Sequence, residues 1–541
     1  MLQNFLSFVC LMCLFGGAVI SGILFTNPQP VNDGYQPSSL DILFDWPQIL
    51  LQLGEVHQIT NGSRSVTVAV IDSGIDLRYP ELNDVLWRNR GEIPQNGIDD
   101  DLNGYIDDNI GWDFVNNDND PSDDAYHGTF VTSLITGMDR STRDFYNRQI
   151  TGVSPNITVM PIKYLNSDVK GVGVERFVQS VRYAVDNGAD IINLSLFWEE
   201  LPNEVEEVLL WAEGQGVLLV GITGNMGEVR DGINVLGSLS SVLAVGSVGQ
   251  DLKRSTFSQY GEGVELVAPG EFITGAFLVN SVLGSELVLD GQQIPTNVLN
   301  YSSSLERPIS APLVYAGLGR AEDYSNLETS GGIVLVDRGE LFFRDKVSQA
   351  ALNGATGVVI ANNQPGNFLG TLLEPVSIPA VSISLEDGLF LKNKLEEGPQ
   401  EITFDVRYVN TSITNGTSFA APFVSGAAAL LLSVDPSLSS SSVRNILIDS
   451  ATDIGPIGWD PDSGYGLVNI TAALNAVSSN TSKQSSACSQ MLAGTWHAGR
   501  VMDDGLMRSI LEESHLKAVK EISLIRELRE RKFGSIKASY Y

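Results

Sequence analysis

From residue 45 onward, short apolar runs rich in Val and Ile alternate with longer stretches of helical period, separated by Gly and Asn. That alternation predicts an α/β fold built on a parallel sheet. The runs Ser65 to Ile71, Asp190 to Ser195 and Val242 to Val248 read as buried strands. Between the first two, Val174, Phe177, Val178, Val181 and Val185 mark one face of a helix that Gly188 stops. From 271 to 409 the texture changes to Ser, Leu and Gly with strand and helix signals of its own, which predicts a second domain inserted into a loop of the first. The first pattern resumes at 410 and closes at 477, so the α/β body is expected over 45–270 and 410–477. A Ser-rich linker and a net-positive segment of helical apolar spacing follow over 478–541.

Composition excludes several classes. A chain of 541 residues that is 43% hydrophobic and 18% charged is too apolar to be a disordered acidic protein. Its 33 Lys and Arg against 65 Asp and Glu give a net charge of -32, which must lie on the surface of a folded protein. Such a surface repels polyphosphates and attracts cations, which argues against nucleic acid as a partner. The three cysteines, Cys10, Cys13 and Cys488, leave the body without a disulfide framework or a paired-cysteine zinc site. Residues 5–26 carry no charge and read as either an export signal or a membrane-spanning anchor, with export and an extracellular setting implied by both.

Three motifs carry candidate chemistry. Val-Ile-Asp-Ser-Gly at 70–74 puts Asp72 at the end of a buried strand, the sheet edge where active sites gather, although Asp before Gly also suits a plain turn. His127-Gly-Thr opens a small-residue helix, and an imidazole is the side chain best suited to act as a base near neutral pH, although a structural hydrogen bond is the commoner use. Asn415-Gly-Thr-Ser-Phe-Ala-Ala-Pro422 places Ser418 at a helix start, where backbone N–H groups and the positive dipole end suit an oxyanion, or where a serine simply caps. Asn225, after the run GVLLVGIT, offers a side-chain amide as a second oxyanion donor.

The order Asp, His, Ser, with Asn between the last two, is that of subtilisin and differs from the chymotrypsin-like and α/β-hydrolase orders. With the closing Ser463-Gly-Tyr-Gly-Leu-Val-Asn469, the sequence resembles the subtilases, the subtilisin-like serine peptidases. The resemblance implies a secreted serine endopeptidase acting on protein or peptide substrates without an organic cofactor. In it Asp72 would orient His127, His127 would take the proton of Ser418, and Asn225 with the Ser418 N–H would hold the oxyanion. Phe130, Thr132 and Ser133 stand where the family usually has His, Ala and Gly, and Phe197 stands where it commonly has Gly beside the S1 pocket. The family normally carries a prodomain ahead of the catalytic domain. The stretch after Thr26 is expected to be too short for one, so the chain folds without it or its N-terminus is incomplete or rearranged.

The 271–409 region resembles a protease-associated domain through Gly332-Ile-Val-Leu-Val-Asp-Arg-Gly339, Phe343-Arg-Asp-Lys346, Ala350 to Asn363 and Ile378-Pro-Ala380. That resemblance implies a role in substrate access or in binding protein segments, with an inert spacer as the alternative. Between Asp72 and His127, the run Asp99 to Asp108 places oxygen ligands at Asp99, Asp101, Asn103, Tyr105 and Asp107 with Gly104 at the sharp turn, the geometry of a calcium loop without the distal Glu of an EF-hand. A structural calcium is expected there, with a solvated acidic loop as the alternative. Two other readings stay open: a catalytically impaired subtilase fold serving as a binding module, and a Ser-carboxylate acid peptidase, which the intact His127 motif disfavours.

Overall fold

The computed structural model describes residues 46–138, 150–227 and 232–478; the apolar segment 5–26, the three cysteines and the basic tail beyond 478 lie outside them. Two short helices, α1 (Trp46–Leu50) and α2 (Leu53–Ile59), lead into β1 (Thr67–Asp72). There follow α3 (Pro80–Asn83), β2 (Trp112–Asp113), α4 (His127–Thr136), β3 (Thr158–Lys163), α5 (Val174–Asp186), β4 (Ile191–Leu194), α6 (Asn203–Gly214), β5 (Leu218–Ile222), β6 (Val242–Val248) and β7 (Leu266–Pro269). The strands form one sheet in the order β2-β3-β1-β4-β5-β6-β7, parallel throughout. Every residue of β1, β4, β5, β6 and β7 is buried. This is why these strands read as continuous apolar runs, since helices cover both faces of a parallel sheet. On α5, Phe177 and Val181 are fully buried, Val174, Val178 and Val185 pack against the same core, and Gly188 takes the left-handed turn that ends it (φ +80°).

A two-stranded antiparallel ladder then joins β8 (Ile273–Ala276) to β17 (Thr411–Thr414), and between them the chain makes its excursion. The excursion folds around a sheet of β9 (Val282–Leu289), β10 (Gln292–Gln293), β11 (Asn297–Val298), β12 (Ile309–Tyr315), β13 (Ile333–Asp337), β14 (Gly357–Ala361), β15 (Ala380–Ile383) and β16 (Glu401–Val409), with α7 (Phe343–Leu352) and α8 (Leu385–Glu397) against it. The order is β10-β9-β16-β12-β13-β14-β15-β11. Side-chain alternation splits its core in two. Ile333, Leu335 and Val359 join one apolar cluster, and Val334, Val336, Val358 and Ile360 join another on the opposite face.

The chain returns through a 3₁₀ turn (Thr417–Phe419) into α9 (Ala421–Val434), followed by α10 (Ser440–Asp449). Thr417–Val434 is long and apolar enough to cross a membrane by length and composition, but 83% of it is buried. It is the core helix of the first domain, packed against α4, β4 and β5.

Candidate active site

Strand β1 lies between β3 and β4, so the sheet order reverses at its C-terminal end and opens a crevice there. Asp72 ends the strand, fully buried, and its Oδ1 accepts a hydrogen bond from the Ser73 N–H at 2.7 Å. His127 Nδ1 lies 2.8 Å from Asp72 Oδ1 and 3.0 Å from Oδ2. With Nδ1 thus donating, the free lone pair is left on Nε2.

Local sequence explains why α4 begins there. Asp123, buried ahead of the helix, accepts hydrogen bonds from the N–H groups of Ala125 (2.9 Å), Tyr126 (3.0 Å) and Thr129 (2.9 Å), satisfying the donors that a helix start leaves open. The Gly128 N–H donates to Ser73 Oγ at 2.8 Å. A Cβ on Gly128 would stand 2.2 Å from the Gly74 carbonyl oxygen, so only glycine lets the helix come this close to the end of β1. Burial works against the charged imidazole, but the charge and hydrogen bond of Asp72, with Asp123 behind, outweigh it and hold His127 above its ordinary pKa of 6.5. Burial pushes Asp123 itself upward, against the hydrogen bonds it accepts.

Ser418 sits in the 3₁₀ turn ahead of α9, and the turn is tied down from below. Ser195 Oγ donates to the Ser418 carbonyl (2.9 Å) and accepts from Asn193 Nδ2 (3.0 Å), while Asn193 Oδ1 accepts from Ser425 Oγ (2.8 Å). This buried chain links the nucleophile turn to the end of β4 and to α9, a role for Asn193 and Ser195 that the sequence motifs do not reveal. The next residue, Phe419, brings its ring 5.4 Å from that of His127 and 4.6 Å from that of Phe130, so the turn that carries Ser418 lies against the start of α4. Among the described residues no hydrogen bond joins Ser418 Oγ to His127 Nε2. Such bonds often tighten only when substrate is bound.

Asn225 follows β5. Its Oδ1 accepts from both the N–H (2.8 Å) and the hydroxyl (2.9 Å) of Thr417, the residue before Ser418. Because a backbone N–H can only donate, the amide oxygen must face Thr417, and the Nδ2 donors point the other way. Asp72, His127, Ser418 and Asn225 thus gather at the C-terminal edge of the sheet, carried by β1, α4, the turn before α9 and the loop after β5. Phe197, just beyond β4, is exposed.

In the acidic loop the carboxylates of Asp99 and Asp101 lie with that of Glu92 within 4.8 Å of one another. Three clustered carboxylates, one from a buried Glu92, repel one another unless a cation or protons intervene, and oxygen-only donors suit a hard cation. Glu92 was not legible as a partner because it precedes the loop. Its carboxylate also accepts the N–H groups of Asp100 (2.8 Å) and Asp107 (3.0 Å), closing the loop onto itself. The other expected ligands sit differently. Asp107 accepts from the N–H groups of Asn96 and Gly97 at 3.0 and 2.8 Å, and Asn103 spends its amide on Asp101 and Asp108. The Tyr105 ring packs edge-on against Trp112 and Tyr183 at 5.0 and 4.9 Å, so only its carbonyl can face the loop.

The Subtilase family model matches residues 63–304 and 375–466, more than half of the chain, and the PA domain model matches 309–391. The minor extracellular protease Vpr of Bacillus subtilis is 25% identical over 477 residues, 76% of this chain and 52% of the relative. A thermophilic serine proteinase of a Bacillus species is 30% identical over 222 residues, 41% of this chain and 48% of the relative. The chain thus spans about half the length of these relatives. Among solved structures, a psychrophilic subtilisin-like protease from Pseudoalteromonas sp. AS-11 is 25% identical, with a TM-score of 0.49, over 79% of this chain and 96% of that one.

Proposed function

The chain belongs to the subtilase family, and from that premise we propose that it is a serine endopeptidase in which Asp72, His127 and Ser418 form the triad and Asn225 supplies an oxyanion donor. The observation that carries this is the buried Asp72–His127 hydrogen bond facing a Ser418 turn that Asn225 grips through Thr417. His127 Nε2 takes the hydroxyl proton as Ser418 Oγ attacks the scissile carbonyl, and Asp72 stabilises the imidazolium that results. Asn225 Nδ2 and the Ser418 N–H bind the oxyanion; His127 then returns its proton to the leaving amine, and water hydrolyses the acyl-enzyme by the same route.

The substrates are protein or peptide chains, and the extracellular relative supports secretion. Residues 45–270 and 410–477 make up the catalytic domain in this reading, and 271–409 the protease-associated insert, with the β8–β17 ladder as their joint. Glu92, Asp99 and Asp101, with Asn103, the Tyr105 carbonyl and Asp107 around them, would hold a structural calcium that neutralises the clustered carboxylates and stiffens the loop between Asp72 and His127.

Labelling with a fluorophosphonate probe at neutral pH tests the triad. Wild type is expected to label and Ser418→Ala not to. A folded wild type that fails to label would return the reading to a binding module of subtilase fold.

A further inference from the structure

Phe277 is the first residue beyond β8, where the chain departs into the insert. Its ring lies face to face with that of Tyr126, centroids 4.3 Å apart and planes 17° apart. Tyr126 is the residue immediately before His127, and it holds a left-handed backbone with φ +86°. For a bulky L-residue this conformation is strained and persists only where the surroundings enforce it.

The same foot of the insert is fastened to the segment that follows Asp72. Tyr79, fully buried, shares its single hydroxyl proton between the carbonyls of Phe277 (2.5 Å) and Asn410 (2.8 Å), bridging the chain where it leaves the ladder and where it returns. Asp76 Oδ2 accepts from the Val279 N–H at 2.8 Å, and the Asp76 N–H donates to Thr129 Oγ1 of α4 at 2.9 Å. One turn further along α4, Ser133 Oγ accepts from the Ala276 N–H at 2.9 Å, and the Phe130 ring fills the space where a Cβ on Gly275 would stand, 2.4 Å away. Phe130 and Ser133 are two of the positions at which α4 departs from the family's usual motif. In this chain both meet β8.

We propose that Phe277 is a positioning residue for His127: stacked on Tyr126, it holds the left-handed entry to α4 and thereby the rotation that brings the imidazole onto Asp72. The insert's foot is then a working part of the catalytic domain and not only its attachment. The proposal rests on the triad reading above. The alternative is that the stack anchors the insert and nothing else.

The test uses the full chain, comparing wild type, Phe277→Ala, Phe277→Tyr and Ser418→Ala with a short peptide substrate and the fluorophosphonate probe. Phe277→Ala is expected to lose about 10- to 100-fold in kcat, with KM changing by about twofold or less, because a misplaced base impairs chemistry more than binding. The acidic limb of its pH–rate profile is expected to move down towards 6.5 as the Asp72 contact loosens, and Phe277→Tyr, which keeps the ring face, to restore both. Wild-type kcat and an unmoved acidic limb in Phe277→Ala would overturn the proposal. Phe277 is half-buried, so its truncation should leave the fold intact. Should it not, Phe277→Leu keeps the apolar bulk without the ring face and is read in the same way. If wild type shows no Ser418-dependent labelling, the triad reading fails, and this proposal falls with it.

Discussion

A buried imidazole beside two carboxylates keeps its proton longer than one in water. Burial alone would favour the neutral ring of His127, but Asp72 and Asp123 outweigh it. Because the neutral ring is the base, kcat/KM is expected to rise with pH through a midpoint above 6.5 and then level off. Stability runs the other way. A histidine with a raised folded pKa contributes stability that is complete below the unfolded value near 6.5 and is lost as pH rises through the higher folded value. A pH–rate profile set beside a pH–melting profile checks both directions. Asp72→Asn should lower the rate roughly ten-thousandfold, the loss known for the corresponding change in a trypsin-type triad, because the tautomer is no longer held. Asn225→Ala should lower kcat roughly 10²- to 10³-fold with KM little changed, a magnitude known from subtilisin itself. Steady-state kinetics on a peptide substrate distinguishes these losses from a loss of binding. Asp72, His127, Ser418 and Asn225 were legible because each sits in a short motif. Asp123, Asn193, Ser195 and Glu92 were not, since a buried Asp or Asn looks in sequence like any turn former or sequon.

Helix α4 shows what decides whether an element can carry a site. Its first turn must lie against the end of β1, and Gly128 is where the two backbones meet. In an isolated helix, replacing glycine with alanine would stabilise by up to about 1 kcal/mol. Here the added methyl would lie 2.2 Å from the Gly74 carbonyl, and overpacking against backbone costs about 1–3 kcal/mol or more, so the clash wins. Gly128→Ala is therefore expected to lower the melting temperature and to slow fluorophosphonate labelling, and an unchanged melting temperature would contradict the close packing. The elements themselves were readable from period and punctuation. Strand β6 has the predicted bounds 242–248, and the predicted face of α5 is the one that packs on the core. The ladder of β8 and β17 was not readable, because four-residue strands carry too little pattern and are defined by partners more than a hundred residues apart in sequence.

Across the protein, a charge of -32 makes cations natural partners, and the loop between Asp72 and His127 concentrates that charge. If calcium binds the folded loop and not the unfolded chain, it adds about 2.7 kcal/mol at a hundredfold excess over its Kd. At roughly 2–4 °C per kcal/mol for a large domain, chelation should lower the melting temperature by several degrees. Glu92→Gln should shrink that calcium-dependent increment. Calorimetry with and without chelator measures it, and an identical melting temperature in both would sink the calcium assignment. The insert adds a second core, and the joint at its foot touches the segments on either side of the Asp72–His127 pair.

Sequence alone was enough for the class of fold, the insertion of one domain in another and the candidate catalytic side chains. Period, glycine punctuation and short motifs are local properties that a linear string preserves. The convergence of β1, α4, the loop after β5 and the turn before α9 on one edge belongs to the folded state. So do the Glu92 carboxylate beside Asp99 and Asp101, and the stacking of Phe277 on Tyr126. Each of these depends on the three-dimensional approach of residues distant in the chain, which a sequence encodes only through the energy of the whole packed core.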